Sequence, residues 1–181
     1  MSLSLLLDPG MLIVLAMRLI GPLMIFRWPL LGTLLSQYVF DMFDVVIWDM
    51  TGTLAKIDYT AFDKVLDIYQ LTIQIFVALR WKQKNPRQIA VWLFGYRLLG
   101  FVLYEIIHQR ILFLFFPNLF FVFFLIYLIC QKMGKTHWFD NRKTLFVILI
   151  ITCLIKIPQE YVLHYRVVSP WQLIKNAAGK P

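Results

Sequence analysis

The chain has 181 residues, of which 60% are apolar and 15% are charged, and its formal net charge is +8. The mean hydropathy of +0.71 lies far outside the range of an ordinary soluble domain and predicts a membrane protein. We expect no nucleic-acid partner, because the Lys and Arg residues form short clusters between apolar runs, where they set topology and contact anionic headgroups of the bilayer.

The apolar runs predict about six transmembrane helices of roughly 20 residues each, the length that crosses about 30 Å of hydrocarbon. In chain order the predicted helices cover residues 1–26, 29–48, 60–79, 88–107, 111–131 and 144–163. The expected fold is therefore all-α, with a polytopic six-helix bundle over residues 1–166 and a short extramembrane tail over residues 167–181.

Proline marks three predicted irregularities. Asn85-Pro86 predicts the turn between the third and fourth helices. Pro117 and Pro158 lie inside the fifth and sixth helices, where a proline kinks the helix and frees a carbonyl oxygen that can line a cavity.

The basic residues also indicate an orientation. The loops after the first, third and fifth helices contain nine Lys and Arg residues, and the opposite side contains five. This difference predicts a multi-pass protein of the cell membrane with both termini outside.

Four Asp residues near the ends of the second and third helices stand out. Asp41 and Asp44 are three residues apart, and Asp63 and Asp67 are four apart, so each pair shares one helix face. A carboxylate inside a membrane span costs at least a few kcal/mol, so the four predict a functional site. The structural alternative is that these side chains extend to water at the interface.

Further polar residues lie at similar predicted depths, apart from one near mid-membrane, and we expect them to face the same interior cavity and to bind substrate. The predicted substrate-binding residues are Lys64, Arg97, Glu105, Asn118, Lys156, Gln159, Glu160 and His164. Structural ion pairs, such as Lys156 with Glu160, are the alternative explanation.

Carboxylate oxygens in this number suit a hard cation better than Zn²⁺. The spacing D-x2-D followed by D-x3-D in a six-helix membrane protein resembles the CDP-alcohol phosphotransferase family. The resemblance covers about 27 residues, and Val45 and Trp48-Asp49 stand where the family has Gly and Ala-Arg. It implies that Asp41, Asp44, Asp63 and Asp67 bind Mg²⁺ or Mn²⁺, and that Asp67 also acts as the catalytic base.

The sequence leaves three functions open, and with them the question of whether the protein is an enzyme. The first is a metal-dependent phosphotransferase or lipid-modifying enzyme acting on a lipid or another phosphate-containing substrate. The second is a small homo-oligomeric transporter or channel for protons or cations. The third is a non-catalytic accessory subunit whose polar residues hold helices together.

Overall fold

The structure is a computed structural model that describes residues 8–53, 55, 59–109 and 111–162. All regular secondary structure in these ranges is helical, which confirms the predicted all-α fold for this part of the chain. We label the six long helices α1 to α6. They are α1 (Pro9–Arg27), α2 (Pro29–Met50), α3 (Tyr59–Ala78), α4 (Lys84–Ile107), α5 (Leu112–Lys132) and α6 (Arg142–Glu160).

Four of these helices, α1, α2, α4 and α5, are long and apolar enough to cross a membrane. The other two have similar lengths, but every 18-residue stretch of α3 or α6 contains three charged residues, whereas each of the four candidate spans includes a stretch with at most two. The structure thus supports a membrane protein with at least four candidate spans, while the predicted number of six stays a prediction.

Most predicted helix bounds lie within a few residues of the observed ones, but one predicted turn is wrong. Asn85-Pro86 lies in the first turn of α4, and the chain turns before it, at residues 79–83. A proline is tolerated there because the first N–H groups of a helix have no intrahelical partner. Residues 1–7 of the first predicted helix, and the predicted tail, lie outside the described residues.

The chain divides into two compact units, Met1–Gln74 and Ile75–Pro181, with the boundary inside α3. Each unit has its own buried aromatic and aliphatic residues. In the first unit, Met11, Val14, Trp48 and Leu66 form a core, and the rings of Trp48 and Phe62 meet edge to face at 6.2 Å.

The second unit has an aromatic core built on α5. Trp81 stacks on Tyr127, with ring centroids 3.6 Å apart, and on Phe124 at 5.6 Å. Phe120 and Phe139 are fully buried in the same unit.

Helix α4 has the inverted surface expected of a membrane protein. Arg97 is buried, together with Gly100 and Tyr104 on the same helix face. Large apolar side chains such as Trp92 and Ile106 are exposed. An arrangement with the charge inside and the hydrocarbon outside matches a lipid environment rather than water.

A tight turn joins α1 to α2 in the first unit. Trp28 alone separates the two helices, and Gly32 packs directly on the backbone of Met24 and Ile25 in the last turn of α1. A Cβ atom at Gly32 would lie 2.6 Å from the backbone nitrogen of Ile25. Because backbone cannot move aside like a flexible side chain, this contact requires glycine.

We therefore expect Gly32→Ala to lower the thermal stability of the purified protein, since overpacking costs about 1–3 kcal/mol. The matched control is Gly95→Ala in α4, where a Cβ atom would meet nothing within 4 Å. The control should be neutral or slightly stabilising, because Ala is the better helix former. Equal stability of the two variants would contradict the close packing at Gly32.

Candidate functional site

The four predicted Asp residues converge on one arginine that is not among the predicted site residues. The side chain of Arg18, on α1, is only 2% exposed. Its Nη1 atom donates a hydrogen bond to Asp41 Oδ1, and its Nε atom lies 3.6 Å from Asp44 Oδ2. Its Nη2 atom lies 3.4 Å from Asp63 Oδ1 and 3.2 Å from Asp67 Oδ1. Three helices thus bring one guanidinium and four carboxyl groups together.

Lys64 supplies the second positive charge of the site. Its Nζ atom lies 2.8 Å from Asp63 Oδ2 and 3.4 Å from Asp67 Oδ2, and the lysine side chain is 10% exposed. When all the groups are charged, four carboxylates face two cations, so the site keeps an excess of two negative charges. This excess is what an additional cation would neutralise.

The spacing of the Asp residues explains why they meet. Asp41 and Asp44 lie on one face of α2, and Asp63 and Asp67 lie on one face of α3, because residues three or four apart are neighbours on a helix. A π-helical segment, Leu35–Phe40, directly precedes Asp41. Such wide turns occur often at functional sites.

Three of the carboxyl groups are placed to share a metal ion. One oxygen each from Asp41, Asp44 and Asp63 lies within 4.8 Å of the others. Asp44 is fully buried, and neither of its oxygens accepts a hydrogen bond from a residue that the structure describes. Carboxylate oxygens are the ligands that Mg²⁺ and Mn²⁺ prefer, so the donor set fits the predicted cofactor.

Arg18 carries a sequence signal, although a weak one. It is the single charged residue between Pro9 and Ile20, and it lies nine positions from each end of α1, about 14 Å along the helix. At that depth an arginine needs a buried carboxylate rather than water. The rotation of α1 about its own axis relative to α2 and α3 decides which residues Arg18 contacts. Local sequence does not determine that rotation.

In the second unit, five of the predicted substrate-binding residues gather at a break in α5. The helix stops at Phe115 and restarts at Leu119, where Asn118 caps the new start by accepting a hydrogen bond from the Phe121 N–H. The break leaves carbonyl groups without helical partners. Arg97 donates a 2.8 Å hydrogen bond to the carbonyl oxygen of Phe116.

Helix α6 contacts the same break. Glu160 Oε1 accepts a hydrogen bond from the backbone N–H of Asn118 at 3.2 Å, and it lies 3.3 Å from Lys156 Nζ. Lys156 also donates a hydrogen bond to Gln159 at 3.1 Å. The contacts of Arg97, Asn118, Lys156 and Glu160 therefore hold the broken helix together, and substrate binding by these residues stays a prediction.

Two further predicted residues have no place in this cluster. Glu105 is exposed on α4 and makes no ion pair or hydrogen bond with another residue in the described ranges. His164 lies outside the described residues. The expectation that the polar residues of both units line one cavity also stays a prediction.

Comparison with protein-family models, with curated proteins and with solved structures finds no match for this chain. The CDP-alcohol phosphotransferase resemblance therefore rests on the sequence motif alone.

Proposed function

We propose that this chain is a multi-pass protein of the cell membrane, with six spans, that binds Mg²⁺ or Mn²⁺ at its Asp site and transfers a phosphate-containing group. The observation that supports this proposal best is the trio Asp41, Asp44 and Asp63, whose oxygens lie within 4.8 Å of one another. The family resemblance in the spacing of the four Asp residues favours the same chemistry.

The two cations at the site support a phosphate-containing substrate. A site that only captured metal ions would gain nothing from Arg18 and Lys64, which compete with the metal for the same carboxylates. A site for a metal with a phosphate needs both signs of charge, because guanidinium and ammonium groups bind phosphate oxygens. Arg18 and Lys64 would then take the place of the arginine that the family motif has and this chain lacks.

Each side chain of the site has its own role in the proposed reaction. Asp41, Asp44 and Asp63 would hold the metal, and a bound divalent metal would supply positive charge opposite the transferring phosphoryl group. Arg18 and Lys64 orient the phosphate oxygens. Asp67, the remaining carboxylate, accepts the proton from the acceptor hydroxyl as the new phosphorus–oxygen bond forms and the bond to the leaving group breaks.

The proposal is tested on the purified full-length protein in detergent. A titration with Mn²⁺, monitored through the electron paramagnetic resonance signal of free Mn²⁺, should reveal saturable binding. Added Mg²⁺ should displace the bound Mn²⁺. A CDP-linked alcohol, added with an acceptor alcohol, should then release CMP only when the divalent metal is present. A protein that binds no Mn²⁺ would contradict the enzyme proposal and leave the transporter and accessory-subunit alternatives.

Binding without CMP release would separate the two parts of the proposal. The metal site would stand, while the CDP-linked donor implied by the resemblance would be wrong. Lipid phosphates would then be the next substrates to examine, because the site lies among apolar helices.

A further inference from the structure

Polar side chains continue beyond the Asp site along one side of α2 and α3. Gln37 donates a 3.0 Å hydrogen bond to Asp41 Oδ2, and Gln70 donates a 3.2 Å hydrogen bond to Gln37 Oε1. These two amides link the ion-pair cluster to the next turns of both helices. They lie on the far side of Asp41 from Asp44.

The contacts between α2 and α3 define an antiparallel register. Trp48 meets Phe62, Asp41 and Asp67 share Arg18, and Gln37 binds Gln70. Along a common direction, residue numbers therefore decrease in α2 and increase in α3. One turn further, this register brings Thr33 of α2 to the level of Gln74 of α3.

At that level, several buried polar groups have no hydrogen-bond partner among the residues that the structure describes. Thr33, Ser36 and Gln74 are at most 1% exposed. The two hydroxyl groups and both amide atoms of Gln74 find no hydrogen-bond partner in the described part of the chain. A buried polar group without a hydrogen bond loses the hydration that it has in the unfolded chain, so such groups in a native protein require a partner.

Water is the ligand that fits these groups. A buried water molecule needs two to four polar partners, and hydroxyls and amides that both donate and accept supply them. The three side chains carry no charge to balance a dehydrated ion, and a hydrocarbon chain would leave the polar atoms unsatisfied.

We propose that Thr33, Ser36, Gln37, Gln70 and Gln74 line a water-filled track that connects the Asp site with the opposite half of the membrane. Thr33 and Asp44 are eleven positions apart on α2, about 16 Å along the helix axis. The hydrocarbon core is about 30 Å thick, so the track crosses roughly half of it. A hydrated path from a buried site is what proton or cation transport requires.

This inference stands apart from the proposed metal chemistry, and its test does not use a metal. The background is a variant with the two free cysteines replaced, Cys130→Ser and Cys153→Ser. Single cysteines are introduced by Thr33→Cys, Ser36→Cys and Gln74→Cys. Thr33→Cys and Ser36→Cys change the size of the side chain little, so we expect both variants to fold. If Gln74→Cys does not fold, these two variants still test the proposal.

The matched controls are Leu31→Cys and Leu34→Cys, at exposed positions of the same helix at similar depth, 53% and 36% exposed. Membranes containing each variant are treated with a positively charged thiosulfonate that does not cross lipid. The three track positions should react at least about tenfold faster than the controls, because the reactive thiolate forms in water and not among lipid chains.

Track cysteines that react no faster than the controls would overturn the proposal. That outcome would mean that the hydroxyls bond to carbonyl groups of their own helix and that the track is dry. Equally fast reaction at Leu34→Cys would also overturn it, since the water would then not be confined to the polar face. The Mn²⁺ titration on the wild-type protein reports the metal site separately.

Discussion

Replacing Asp44 by Asn is expected to weaken Mn²⁺ binding at least about tenfold, and to abolish metal-dependent CMP release, because a neutral amide replaces a charged ligand. Asp44 is the buried member of the trio, and neither of its oxygens accepts a hydrogen bond from any residue described in the structure. The cation that its carboxylate faces is Arg18, whose Nε atom lies 3.6 Å from Asp44 Oδ2. Asn has almost the same size, so the change removes charge without opening a cavity.

The control is Asp140→Asn, which removes an exposed carboxylate in the loop before α6. This variant should bind Mn²⁺ like the wild-type protein, and any loss in it would report weak binding to the surface. Asp41→Asn should resemble Asp44→Asn, since both residues belong to the trio. Unchanged Mn²⁺ affinity in both site variants would refute the metal site.

The helices were predictable because their signals are local. Apolar runs of about 20 residues indicated every long helix in the described ranges, and the spacing of Asp41 with Asp44 and of Asp63 with Asp67 indicated two acidic faces. The prediction of a turn at Asn85-Pro86 was wrong because proline has opposite effects at different positions of a helix. It ends a helix when it lies inside, and it begins one when it lies in the first turn.

The composition of the site was less predictable, since it depends on how helices pack. Lys64 was expected near the Asp residues because it follows Asp63 directly in the chain. Arg18 was not, because its partners lie 23 to 49 residues away. The break in α5 was expected from Pro117, but its closure by Arg97 and Glu160 depends on contacts between helices.

Arg18 is the centre of the site, so its loss should have the largest effect on stability. We expect Arg18→Met to lower the free energy of unfolding in a chelating buffer by about 3–5 kcal/mol, the usual cost of removing one partner of a buried ion pair. Methionine keeps much of the length of the side chain but supplies neither the charge nor the hydrogen bonds to Asp41 and Asp67. Four carboxyl groups would then have Lys64 as their nearest cation.

The same variant should bind Mn²⁺ more tightly than the wild-type protein. Arg18 occupies Asp41 Oδ1 and Asp63 Oδ1, so a metal shared by the trio must displace the guanidinium from these contacts. Without Arg18 this displacement is unnecessary, and the excess negative charge at the site is larger. Bound metal should therefore restore much of the stability that Arg18→Met loses, since a ligand that binds the folded state stabilises it.

The measurement is thermal unfolding of the purified protein, monitored by tryptophan fluorescence, in buffer with chelator or with saturating Mn²⁺. Trp48 is buried in the first unit and reports on the helices that carry the site. Arg80→Met, at an exposed position after α3, is the control and should unfold like the wild-type protein in both buffers. If Arg18→Met is as stable as the wild-type protein in chelator, the carboxyl groups do not depend on the guanidinium. If Mn²⁺ stabilises Arg18→Met no more than the wild-type protein, Arg18 and the metal do not compete for the same oxygens.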